Sequence, residues 1–143
     1  MITGKNYIGF QKSSEGTITF KTFNPQLNIE NDTVFIEANL KEINQAVSLA
    51  ADAFRTFQNT SGAQKAKFLN AIADEILELG DELIQTYCIE TGLPEGRAKG
   101  ERGRTIFQLR SFAELVEEGS WVGATIDTAN PDGQPFPKPD IRK

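Results

Sequence analysis

Residues 63–116 constrain the chain most, because their pattern dictates helices in succession. Ala66, Leu69, Ile72, Ala73, Ile76 and Leu77 recur at spacings of three and four, which lines them along one side of a helix. That helix opens near Ser61, whose hydroxyl has a capping-box partner in Gln64. Gly80 followed by Asp81 reads as a stop and a new N-cap, and Leu83, Ile84 and Tyr87 carry the apolar face onward. Gly92 then supplies a residue tolerant of positive φ at a helix C-terminus. Pro94 suits the first position of the next helix, where a missing N–H costs nothing. This last helix is predicted over 95–118, with Ile106, Leu109, Phe112, Ala113 and Val116 on its apolar side and Gly119 as its stop.

The flanks are read against this block. Residues 7–10 and 17–23 have strand composition, and the polar stretch 11–16 between them reads as a hairpin loop. Asn24-Pro25 forces a turn before a third short strand at 33–36. So small a sheet cannot bury its own faces and must lie against something larger. Asn39 and Glu42 form a second capping box, ahead of a stripe of Leu40, Ile43, Val47, Ala50, Phe54 and Phe57. Beyond Gly119, residues 121–127 read as one strand, followed by a turn at 130–133. Pro135, Pro137 and Pro139 then exclude helix and interior strand. The tail is expected to stay off the helices, to end with no closing element, and to lack a pairing partner in its own chain.

The chemistry is bounded mainly by what the 143 residues do not contain. There is no histidine, which removes Ser-His-Asp and Cys-His catalysis and every His-ligated metal site. One cysteine cannot form an internal disulfide and fits a reducing compartment. An apolar content of 38% with 24% charged residues argues for a folded chain, and a net charge of −5 argues against a nucleic-acid surface. No apolar run approaches the ~20 residues of a membrane helix, and no signal-peptide core is present. A cytoplasmic location is therefore expected. Cys88, with no base to activate it, is expected to be a buried structural thiol, and Glu117-Glu118 a solvated helix end.

No G-x-G-x-x-G or phosphate-loop pattern occurs, so spacing alone offers no catalytic, cofactor-binding or metal-ligating constellation. Gly96, Gly100 and Gly103 line one face of the 95–118 helix at i, i+4 and i+7. The expectation is a close approach to another element, the alternative being space kept open for a ligand beside Arg104. Arg97, Lys99, Arg102 and Arg104 spread around the helix and form no phosphate-tracking stripe.

The order of motifs resembles the N-terminal region of the aldehyde dehydrogenase superfamily. The matching segments are Phe23-Asn24-Pro25, residues 42–54, residues 71–76 with Asp81-Glu82-Leu83, Glu90-Thr91-Gly92-Leu93-Pro94 (Leu93 replacing the commoner Lys), and residues 108–113. From residue 90 to 127 the wording is most similar to the branch oxidising 2-oxoglutarate semialdehyde (2,5-dioxopentanoate), near the NADP-dependent fatty aldehyde enzymes. The resemblance implies an α/β parent fold with a Rossmann-type cofactor domain. Residues 1–119 would be the N-terminal hairpin and helices of that domain, and 120–143 the truncated first strand of an oligomerisation arm. The chain itself is then mostly helical, with an N-terminal β-hairpin and a C-terminal extended arm.

For the parent, the resemblance implies NAD- or NADP-dependent oxidation of an aldehyde to a carboxylic acid through a Cys thioester, in a cytoplasmic homo-oligomer joined through the 120–143 arm. No nucleic-acid or membrane partner is implied. In the family the nucleophilic Cys, the general-base Glu, the oxyanion Asn and the cofactor strands come later, so none is carried onto this chain. It reads as an N-terminal fragment, inactive alone and binding no cofactor of its own. Because the family's matching helix borders the substrate entrance, Arg104, Gly100 and Gln108 are candidates for the substrate mouth. A non-catalytic helical interaction or assembly module is the alternative.

Overall fold

Two antiparallel ribbons lead into four helices and a short terminal hairpin in the computed structural model, which describes residues 2–142. Strand β1 (Asn6–Ile8) pairs with β2 (Gln11–Ser13) across a two-residue connection, and β3 (Thr19–Asn24) pairs with β4 (Ile29–Ile36). The stretch 11–16 is thus not the predicted loop. Its first half is a strand, and the chain reverses at Gly9-Phe10, where Gly9 has φ 59. Gln11 and Lys12 are exposed, so no burial pattern marked them as strand. The ribbons meet where the Ile36 N–H donates to the Gly4 carbonyl at 3.0 Å and Asn6 Nδ2 to the Ile36 carbonyl at 3.2 Å.

The helices are α1 (Leu40–Phe57), α2 (Gly62–Glu78), α3 (Gly80–Thr91) and α4 (Glu95–Glu118). Both capping boxes form with both of their reciprocal hydrogen bonds. The break at Gly80 is present, but Asp81 is no N-cap; it lies in the first turn of α3, which has no side-chain cap. Gly92, at φ 70, closes α3, and Pro94 occupies the N-cap of α4, one residue before the predicted position.

The main packing is α2 against α4. The buried residues of the two helices are mostly alanine: Ala66 and Ala73 on α2, and Ala98, Ile106 and Ala113 on α4, with Ala98 near Leu83, Ile84 and Tyr87 of α3. Small side chains let the two backbones approach. The approach is closest at Gly62, where a Cβ would lie 2.2 Å from the Val116 carbonyl oxygen, so only glycine fits there. The α2 start therefore lies beside the α4 end, and the pair runs antiparallel, with Arg110 Nη2 on Asp74 Oδ1 at 3.1 Å.

Two expectations are corrected by this arrangement, those for the α4 glycines and for residues 121–127. A Cβ at Gly96, Gly100 or Gly103 would meet nothing within 4 Å, so these glycines mediate no close approach among the described residues. The apolar stripe of α1 is real but uncovered: Leu40, Val47 and Phe54 are 71%, 65% and 60% exposed, and Phe57 makes an edge contact with Phe68 at 6.0 Å between ring centres. Residues 121–127 are not one strand. Residues Ser120–Val122 form a 3-10 turn, and only β5 (Ile126–Asp127) is extended. It pairs with β6 (Ile141–Arg142), while Asn130 and Lys138 exchange two backbone hydrogen bonds of 2.9 Å. The tail thus has both a closing element and a pairing partner within its own chain.

Candidate functional site

Four-residue spacing places Arg104, Gln108 and Phe112 one above another on α4. With Glu101, Thr105 and Leu109 of the same helix and Leu69 of α2, they line an open groove of about 410 Å³. The structure therefore brings together two of the three substrate-mouth candidates. Gly100 stands outside this lining, exposed, one turn before Arg104. Phe112 was assigned to the apolar core side; it is instead 54% exposed and walls the groove. Its four-residue spacing from Gln108 and Arg104 is the sequence signal for this role, and it coincides with the core periodicity of Ile106, Leu109 and Ala113.

The charges around the groove are almost all matched. Lys99 pairs with Glu95 at 2.5 Å and Arg97 with Glu101 at 2.7 Å. Arg102 Nη1 donates to the Gly80 carbonyl at 3.2 Å, and Arg110 reaches Asp74. The hydrogen bond and charge of Lys99 hold the Glu95 carboxyl below the usual carboxylate range. Among the described residues, Arg104 alone of the basic side chains of α4 has neither hydrogen bond nor ion pair. Glu101, the acid in the same groove, is already neutralised by Arg97. A free guanidinium beside the Gln108 amide, with Leu69, Leu109 and Phe112 as apolar walls, suits a carboxylate at the end of a short carbon chain.

A second assembly joins two of the motifs. Asn24 is buried, and its Oδ1 accepts from the N–H groups of Gln26 at 3.0 Å and Leu27 at 3.1 Å. The turn so formed presents Gln26, whose Nε2 donates to the Gly92 carbonyl at 2.8 Å. Phe23-Asn24-Pro25 thereby docks the β3–β4 ribbon on the α3–α4 corner. Cys88 lies beside this corner and is half-buried, not buried as expected, because it faces a polar cavity of about 510 Å³ that also contains Gln26, Asp81, Glu95 and Lys99. Lys99, the cation of that cavity, is held by Glu95. At the far end of α4 the Glu118 side chain accepts from the Ser120 N–H at 3.0 Å and caps the turn that follows; the Ser120 hydroxyl first, and its N–H second, hold the Glu118 carboxyl below the usual carboxylate range.

Helix N-termini are where a dinucleotide pyrophosphate would sit. Here Glu42 occupies the start of α1, and Ser61 and Gln64 cap α2. Asp81 and Glu82 lie in the first turn of α3, and Glu95 in that of α4. These carboxylates would repel a pyrophosphate at the starts of α1, α3 and α4, and the start of α2 is capped by its own side chains. Among them no cluster of three metal-ligating side chains forms, and no helix is long and apolar enough to cross a membrane.

Comparison with known proteins gives a consistent family. Residues 10–134 match the aldehyde dehydrogenase family. The chain is 42% identical over 142 residues to alpha-ketoglutaric semialdehyde dehydrogenase 2 of Azospirillum brasilense, covering 99% of this chain and 27% of that protein. It is 40% identical over 140 residues to alpha-ketoglutaric semialdehyde dehydrogenase of Acinetobacter baylyi, covering 98% and 27%. Among solved structures, betaine aldehyde dehydrogenase of Staphylococcus aureus, determined with NAD+, superposes with a TM-score of 0.78 at 20% identity, over 92% of this chain and 27% of that one. The chain thus spans about a quarter of the length of the relatives it matches. On this sequence match and the shared fold, the chain belongs to the aldehyde dehydrogenase family.

Proposed function

We propose that the chain is the N-terminal part of a cytoplasmic NAD- or NADP-dependent dehydrogenase that oxidises a semialdehyde acid, 2-oxoglutarate semialdehyde first among candidates, to the dicarboxylate. Arg104 is the observation that carries the substrate class: an unpaired guanidinium in a groove with an amide and apolar walls. The two relatives matched at 40–42% identity are alpha-ketoglutaric semialdehyde dehydrogenases; a semialdehyde acid ends in a carboxylate, and that group is what Arg104 would recognise. Gln108 supports it with a second hydrogen-bonding group, and Gly100 keeps the approach from the preceding turn free of side chain.

In this reading residues 1–119 belong to the cofactor-binding domain as framework and substrate mouth. Residues 120–143 belong to an arm through which subunits associate, and the short β5–β6 hairpin leaves strand edges on which another chain can pair. The nucleotide is held elsewhere in the parent polypeptide, since the helix starts here are acidic or already capped. The test is the rate of reduced-nicotinamide formation by the full-length polypeptide carrying this sequence, with 2-oxoglutarate semialdehyde and with an uncharged aldehyde of equal length. Faster turnover of the semialdehyde acid at low concentration supports the reading. Indifference to the carboxylate removes the substrate assignment, and inactivity on both aldehydes removes the enzyme assignment.

A further inference from the structure

Glu42 does more than complete a capping box. It is the largest fully buried side chain in the described structure, 1% exposed, and both its carboxylate oxygens are in use. Oε2 accepts from the Asn39 N–H at 3.0 Å, the helix-capping half. Oε1 accepts from the Ser13 hydroxyl and from the Glu15 N–H, the latter at 3.1 Å. Those two donors come from the end of β2 and the loop after it, 29 and 27 residues earlier in the chain. One carboxylate therefore ties the N-terminal ribbon to the first turn of α1. The remaining attachment there is modest: Ile8 is buried, and Gly9 abuts the Leu49 side chain.

We propose that Glu42 is a proton-sensitive latch, holding the β1–β2 hairpin on α1 while ionised and loosening it on protonation, with α2, α3 and α4 left in place. The chemistry is that of charge-assisted hydrogen bonds. The Ser13 hydroxyl and the Asn39 and Glu15 N–H groups converge on an acceptor-only carboxylate; protonation removes the charge that strengthens all three bonds and puts a donor where only acceptors were, so the buried tie is weakened and its hydrogen-bond pattern must rearrange. The charged groups around it cannot take over. On α1, Lys41 is engaged by Glu15 of the loop at 2.8 Å. On β2, the Lys12 ammonium lies over the Tyr7 ring at 5.4 Å; Glu37, just after β4 and with its carbonyl against Gly16, is exposed. The hydrogen bonds from Ser13, Asn39 and Glu15 hold the Glu42 carboxyl below the usual carboxylate range. A lowered pKa in the folded state means that the latch is at full strength above the ordinary carboxylate range and is lost as pH falls through the depressed value.

The test is amide hydrogen exchange followed residue by residue on the 143-residue chain across acid pH, corrected for intrinsic exchange. Protection in β1, β2 and at Glu15 is expected to fall roughly ten- to hundredfold, the factor for losing a hydrogen bond to a charged group, while protection in α2 and α4 holds. Glu42→Gln is expected to show the loosened hairpin already at neutral pH and to lose the pH dependence. Ser13→Ala, which leaves the helix cap intact, is expected to move the transition to higher pH. Hairpin protection that is flat with pH, or that disappears together with α2 and α4 in one step, overturns the proposal. So does a Glu42→Gln chain that keeps the pH dependence.

Discussion

Replacing Gly96, Gly100 and Gly103 together by alanine should stabilise the isolated chain. Each lies inside α4, and a Cβ at each would meet nothing within 4 Å. Steric cost is therefore absent, and the remaining effect is the helix propensity of alanine over glycine, about 1 kcal/mol per site. The three should add to about 3 kcal/mol. For a chain of this size that is roughly 3–4 °C of melting temperature per kcal/mol, or about 10 °C in all. Circular dichroism at the helix band during a thermal ramp reads it directly. Gly62→Ala is the internal control with the opposite sign: its Cβ would fall 2.2 Å from the Val116 carbonyl oxygen, so α2 and α4 must move apart, at a cost of about 1–3 kcal/mol. An unchanged or lowered melting temperature for the triple variant would show that something packs on this face of α4, and the description of the glycines as unpacked would be wrong.

Two further outcomes follow. Asn24→Ala should destabilise by about 1–3 kcal/mol in urea, since the Gln26 and Leu27 N–H groups lose their shared acceptor, and the Gln26 contact to Gly92 should loosen with it; an unchanged midpoint would show that the turn holds without its side-chain acceptor. The 143-residue chain alone should turn over no aldehyde with either nicotinamide cofactor; turnover that survived purification and vanished in Cys88→Ser would reverse that view.

Much of the helical frame was legible because its signals are local. Asn39 with Glu42, Ser61 with Gln64, and Gly92 each act within a few residues, and each does what its type and spacing require. What failed was information carried by distant partners. The stripe of α1 shows which side is apolar, but not whether this chain supplies a cover for Leu40, Val47 and Phe54. The strand at Gln11–Ser13 is short and largely exposed, so nothing in its pattern separates it from a loop. The single strand expected at 121–127 was broken by glycines, Gly119 and Gly123 both adopting positive φ on either side of a 3-10 turn. The close-approach glycine was Gly62 at a helix start, where composition gives no cue, and not the spaced triplet on α4.

The groove shows the same division. The family resemblance singled out Arg104, Gly100 and Gln108, while from residue type and spacing alone every basic side chain of α4 looked equivalent. Only the structure shows that Arg97, Lys99, Arg102 and Arg110 are engaged and Arg104 is not.

The most direct test is therefore Arg104→Ala in the full-length enzyme, with KM measured for 2-oxoglutarate semialdehyde and for an uncharged aldehyde of the same length. Loss of a charge-assisted hydrogen bond, about 1.5–3 kcal/mol, corresponds to a KM rise of roughly ten- to hundredfold for the semialdehyde acid. The uncharged aldehyde should be nearly unaffected, and kcat for both should change little. Equal changes for the two aldehydes would contradict the assignment of Arg104 as the carboxylate-reading residue of this groove.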